Sequence, residues 1–180
     1  LQLARLETSR GQPALAVQHL QQVLEQAPDH PHAHHDLALA LVALGKSDLA
    51  LEQMREAARR DPESAEICNN LGGLLEQMGR TDEALTAFRR AASLAPGHAV
   101  PQFNLGDALR RAGHCAEAVT ILRVAATLDA NLCEAWAALG TALVTSDQPA
   151  AALGALRRAN ELLGDEEAVC RQLGDALQAL

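Results

Sequence analysis

Alanine returns along this chain at a fixed interval. Ala50, Ala84, Ala118 and Ala152 are spaced 34 residues apart, and so are Ala57, Ala91, Ala125 and Ala159. Frames of 34 residues beginning at Pro31, Ala65, Ala99 and Cys133 align at further positions. The seventh residue is Leu37, Leu71, Leu105 or Leu139, and the eighth is small: Ala38, Gly72, Gly106 or Gly140. The twenty-fourth is large and apolar: Met54, Phe88, Leu122 or Leu156. A period of this length marks a stack of supersecondary units, none of which buries its own apolar face alone. It excludes a single globule with one aperiodic core.

Each unit is read as two helices. Ala and Leu supply most of the apolar share of 48%, aromatics are only 2%, and β-branched runs are missing, so helix is favoured and a sheet is not. Leu71, Leu74, Leu75 and Met78 follow the i, i+3, i+4, i+7 rule of one helical face. Gly45, Gly79 and Gly113 fall where the first helix ends, in the left-handed cap position. Ser47, Thr81 and Cys115 precede the second helix, with Thr81 expected to cap it through its side-chain oxygen. Pro28, Pro62 and Pro96 close the frames. Small residues facing each other allow close backbone approach, and the large ones fill the space around that contact. Each buried large side chain is worth ~1.5–3 kcal/mol.

The small eighth residue, the Ala at twenty and twenty-seven and the closing Pro together resemble the tetratricopeptide repeat (TPR) family, over nearly the whole chain. The resemblance implies an all-α fold, a right-handed α-α superhelix of antiparallel helix pairs. It divides one continuous solenoid into a partial repeat at 1–30, repeats at 31–64, 65–98, 99–132 and 133–165, and a capping helix at 166–180 that carries Leu173, Gly174 and Leu177. Leu1 to Arg10 reads as a shortened first helix. Ala130 and Gly164 stand where Pro closes other frames, and Asp147 stands in place of the cap Gly.

Several function classes are disfavoured. The net charge of −8 opposes nucleic-acid binding, which needs a basic stripe. No apolar run approaches the ~20 residues of a membrane span. No GxSxG, phosphate-binding loop or HExxH occurs, and Glu56, Glu83 and Glu117 fall on outer faces near Arg, so no enzyme and no cofactor is expected. Cys68, Cys115, Cys133 and Cys170 read as reduced thiols packing as small hydrophobes. The chain has no initiator Met and no signal peptide and starts in mid-helix, as a piece of a longer protein would; its compartment stays open, with the cytoplasm favoured over secretion.

The stretch DHPHAHHDLALAL, residues 29–41, gathers four histidines. Pro31 is read as the first helical residue. His32, His35 and Asp36 then share one face at i, i+3 and i+4, a spacing that suits a metal or a pH-sensitive contact. The plainer reading is a solvated helix start with His34 tucked toward the neighbouring pair, and no metal site.

What TPR resemblance implies for function is binding of a protein or peptide segment in a concave groove lined by the first helices. The residues placed there are Asn69, Asn70, Phe103, Asn104, Asp107, Arg110 and Arg111. Asn70 and Asn104 hold the same place in consecutive frames and can grip a peptide backbone through both amide edges. Phe103 is expected to be an exposed apolar anchor, and Arg110 with Arg111 to meet acidic side chains. A chaperone-type carboxylate clamp lacks its basic residues. The repeated Asn is instead similar to the asparagine-lined arm of O-linked N-acetylglucosamine transferases, although Asp36, Ala138 and Gln172 interrupt the ladder. Two alternatives therefore stand beside the scaffold: a substrate-recruiting arm of a larger enzyme, and a solenoid that self-assembles end to end into a homo-oligomer.

Overall fold

The computed structural model describes residues 1–164 together with Arg171, Leu173 and Ala176. Most of the expected capping helix at 166–180, with Cys170 and Gln172, lies outside the described residues. Among the described residues all regular secondary structure is helical. The chain forms two compact units, Leu1–Leu94 and Ala95–Leu180.

The first unit contains α1 (Gln2–Ser9), α2 (Pro13–Gln26), α3 (Pro31–Ala43), α4 (Ser47–Arg60), α5 (Ala65–Gln77) and α6 (Thr81–Leu94). The second contains α7 (Ala99–Arg111), α8 (Cys115–Leu128), α9 (Cys133–Thr145) and α10 (Pro149–Leu163). Consecutive helices within each unit pack as hairpins, and α1 also meets α3, as α7 meets α9. Pro13, Pro31 and Pro149 occupy helix N-termini, where the missing N–H costs nothing.

The turn inside each pair is one motif repeated. Lys46 N–H donates to Leu41 O, Arg80 to Leu75, His114 to Leu109 and Gln148 to Leu143, at 2.9–3.0 Å. This is the six-to-one bond of a Schellman cap, and it needs a left-handed residue one step earlier. Gly45, Gly79 and Gly113 supply it at φ 72°, 73° and 84°. Asp147 supplies it at φ 58°, a conformation a Cβ-bearing residue enters with strain.

Between the helices of a pair, the eighth and twenty-fourth residues meet. A Cβ built on Gly72 would lie 2.7 Å from the Phe88 ring; on Gly106, 2.7 Å from Leu122 Cγ; on Gly140, 2.5 Å from Leu156 Cγ. Ala38 and Met54 are both buried in the frame that tolerates a methyl. The recurring alanines Ala50, Ala57, Ala84, Ala91, Ala118, Ala125, Ala152 and Ala159 are likewise buried. Helix approach in this protein is set by small residues.

The expected placement of Ser47, Thr81 and Cys115 before the second helix is corrected: each is the first residue of that helix. Thr81 is the first residue of α6, and Ala84 N–H donates to Arg80 O, so Arg80 holds the cap position that Thr81 was expected to fill. The side-chain cap lies elsewhere: Ser64 Oγ accepts from Ile67 N–H at the start of α5. Where Ala130 replaces the closing Pro, the turn is held by the Trp136 indole N–H donating to Ala130 O at 3.1 Å and by Asn131 N–H donating to Asp129 Oδ1 at 2.9 Å. Gly164, at φ 72°, ends α10 as a left-handed cap.

Candidate partner-binding surface

In the first unit the candidate surface is built from α1, α3 and α5. The solvated helix start expected at His35 and Asp36 is not what forms. Their relative exposures are 1% and 4%, because α1 on one side and α5 on the other cover this face of α3. Arg5 Nε donates to Asp36 Oδ2 at 2.7 Å, His35 Nδ1 lies 3.2 Å from Asp36 Oδ1, and Asn70 Nδ2 lies 2.7 Å from His35 Nε2. Burial alone pushes the Asp36 carboxyl up. Hydrogen bonds from His35 and Arg5, with the guanidinium charge, outweigh it and hold the carboxyl below its ordinary range. Hydrogen bonding to Asp36 in turn raises Arg5, against a smaller desolvation effect.

His34 does tuck inward, with Nδ1 2.8 Å from Gln53 Oε1 and Nε2 2.8 Å from Pro28 O. His30 and His32 pack edge to face with centroids 6.2 Å apart. His35 thus spends both ring nitrogens on Asp36 and Asn70, and among the described residues no three His, Cys, Asp or Glu side chains are gathered to hold a metal. A cleft of about 300 Å³ opens beside the buried network, with Arg5, Thr8, Ser9, Leu39 and Glu66 around it. Asn69 and Asn70 are half-buried on α5.

In the second unit α7 carries Phe103, Asn104, Asp107, Arg110 and Arg111. Phe103 is not an exposed anchor. It is half-buried and packs with Leu132 and Trp136 against Ala125, Ala126 and Ala135. The arginines are not free either: Arg110 binds Asp107 Oδ1 through Nε at 3.0 Å and Nη2 at 2.7 Å, and Arg111 Nη2 lies 3.1 Å from Asp107 Oδ2. This triad keeps one net positive charge on α7. Asn104 is half-buried, one residue along from Phe103. The ladder is interrupted physically as well: Asp36 is committed to Arg5 and His35, and Ala138 is buried.

Other charged groups form ion pairs, and three of the cysteines are described. Arg55 and Arg80 both bind Glu83, Arg60 binds Asp29 and Glu56, and Arg90 binds Glu63. Cys68, Cys115 and Cys133 are free thiols. Burial raises Cys68, with a partial offset from Arg90, and burial with the Glu134 hydrogen bond raises Cys133. No described helix is long and apolar enough to cross a membrane.

Paired helices, Schellman turns and small-against-large packing define an all-α helical-repeat protein of the superhelical class. Tetratricopeptide repeat models match residues 1–41, 35–99 and 75–143, and the chain belongs to that family. Among curated proteins no sequence matches it. Solved structures do. YrrB, a TPR protein with an unusual peptide-binding site, is 20% identical over 95% of this chain and 88% of its own, with TM-score 0.81. PilF of Pseudomonas aeruginosa is 23% identical over 99% and 86%, with TM-score 0.83. MamA of Desulfovibrio magneticus RS-1 is 19% identical over 92% and 93%, with TM-score 0.81. Repeats of this family generally act as non-catalytic protein-interaction modules.

Proposed function

We propose that this protein is an interaction scaffold whose first-helix surfaces hold an extended segment of a partner protein, without catalysis of its own. The observation that carries this reading is a half-buried amide at the same frame position in each unit, Asn70 on α5 of the first and Asn104 on α7 of the second, each belonging to the surface of its own unit. A carboxamide oxygen accepts from a peptide N–H without reading side chains, and Asn70 keeps Oδ1 for this while Nδ2 is engaged by His35. Asn69 extends the amide surface of α5, while the Asp107–Arg110–Arg111 triad offers α7 a modest attraction for an acidic side chain. Phe103 packs into the cluster with Leu132 and Trp136 and is not counted among the ligand contacts. Membership of a family that generally recruits proteins, and a fold shared with a neighbour that has a peptide-binding site, point the same way.

The test uses peptides selected from a random-sequence display library on the 180-residue chain. Asn70→Ala and Asn104→Ala should each weaken a selected peptide; Asn70→Ala should also lower the thermal midpoint, because it strips buried His35 Nε2 of its partner, so binding is compared at a temperature where both variants are folded by circular dichroism. Phe103 is omitted from the test because truncating it would disturb packing. Retention of every selected peptide by both variants would overturn the proposal. Of its rivals, end-to-end self-assembly predicts a molar mass that rises with concentration in light scattering.

A further inference from the structure

We infer that the buried series Arg5–Asp36–His35 fixes the carboxamide of Asn70 in one orientation, so that this position accepts a hydrogen bond from its ligand and selects a donor, such as a peptide N–H. The inference deepens the proposed function and rests on it for the ligand, but the orientation itself stands on geometry inside the first unit.

The polarity propagates by elimination. Asp36 is a carboxylate paired with Arg5 at 2.7 Å, so toward His35 it can only accept. His35 Nδ1, 3.2 Å from Asp36 Oδ1, therefore carries the proton. With Asn70 Nδ2 at 2.7 Å, Nε2 is the lone-pair nitrogen of a neutral ring, because an amide nitrogen only donates. Asn70 is left with Nδ2 toward His35 and Oδ1 turned away, and no described residue donates to that oxygen. The ring is 1% exposed and both its nitrogens are engaged by protein partners. An Asn on an open helix face would flip freely to suit donor or acceptor. This one is preset. His35 is thus a positioning residue, two hydrogen bonds removed from the Arg5 charge.

The experiment reads the tautomer directly, by long-range proton–nitrogen correlation spectroscopy on the labelled 180-residue chain. Wild type should show His35 protonated on Nδ1. In Asp36→Asn the new amide keeps its oxygen for Arg5 and offers an N–H to His35 Nδ1, so the ring should switch to the Nε2–H form and Asn70 should invert. Should Asp36→Asn fail to fold, Asn70→Asp replaces a donor by an acceptor-only carboxylate at a half-buried position, and a proton should then appear on His35 Nε2. For the ligand, a display-selected peptide is compared with analogues in which single backbone N–H groups are replaced by ester oxygen. One replacement should weaken wild-type binding about three- to tenfold, and the same replacement should be harmless in Asp36→Asn. An Nε2–H tautomer in wild type, an unchanged tautomer in both variants, or an ester penalty that survives Asp36→Asn would overturn the inference. An expected tautomer with a peptide that leaves the Asn70 side-chain amide unshifted would instead refute the groove assignment for this unit, and the ligand half of the inference with it.

Discussion

At Gly72 a methyl group would meet an aromatic ring that cannot bend away. Phe88 atoms lie 2.7 Å from the Cβ that Ala would add, so Gly72→Ala is expected to cost about 1–3 kcal/mol through forced displacement of a packed side chain. Ala38 and Met54 show the remedy already present in this protein, a small methyl opposite an unbranched chain. The double variant Gly72→Ala/Phe88→Met should therefore recover most of the loss, and urea unfolding of the two variants checks it as a double-mutant cycle. Asp36 gives a second prediction at this scale. Its folded value is lowered, so its contribution is complete above the unfolded value of about pH 4 and disappears as pH falls through the lower folded value. Between pH 5 and strongly acidic conditions, wild-type stability should fall more steeply than that of Asp36→Asn in urea titrations at successive pH.

Helix ends decide the element scale. Ser64 is the side-chain cap of α5, and Ser64→Ala should lower stability by about 1 kcal/mol, read as a drop in the denaturation midpoint without a change in its slope. Asp147 stands at the left-handed position that Gly fills in three other turns, with its N–H donating to Val144 O. Asp147→Gly keeps that bond and relieves the Cβ contact, so it should raise stability by roughly 0.5–1 kcal/mol, visible as a higher melting temperature. These turns were readable in advance because a cap depends on residues within one helical turn. Thr81 was harder: Thr at Arg80 would cap, while Thr one position later is helical, and the boundary is set by backbone path rather than residue type.

For the whole molecule, a net charge of −8 opposes association between copies, and light scattering over a wide concentration range should return the mass of a single chain. A mass that climbs with concentration would favour the self-assembling alternative. How the candidate surface formed shows where sequence reading ends. The intrahelical triad of Asp107 with Arg110 and Arg111 follows from i, i+3 and i, i+4 spacing alone, and it cancels half of the positive charge that the two arginines suggest when read singly. Phe103 could not be placed the same way. Its neighbours in that cluster are Leu132, at the far end of its own frame, and Trp136, from the following one. His35 and Asp36 were equally opaque, since their partners Arg5 and Asn70 lie 31 and 35 positions away.

Period, helix type, turn positions and the small-against-large rule were all present in the sequence, because each is repeated or spans only a few residues and helical geometry converts spacing directly into facing. What only the tertiary structure decided is which polar side chains are exhausted on one another and which still face a ligand. That depends on the lateral fit of one pair against the next, where a sub-turn shift exchanges one partner for another and leaves no periodic trace in the chain.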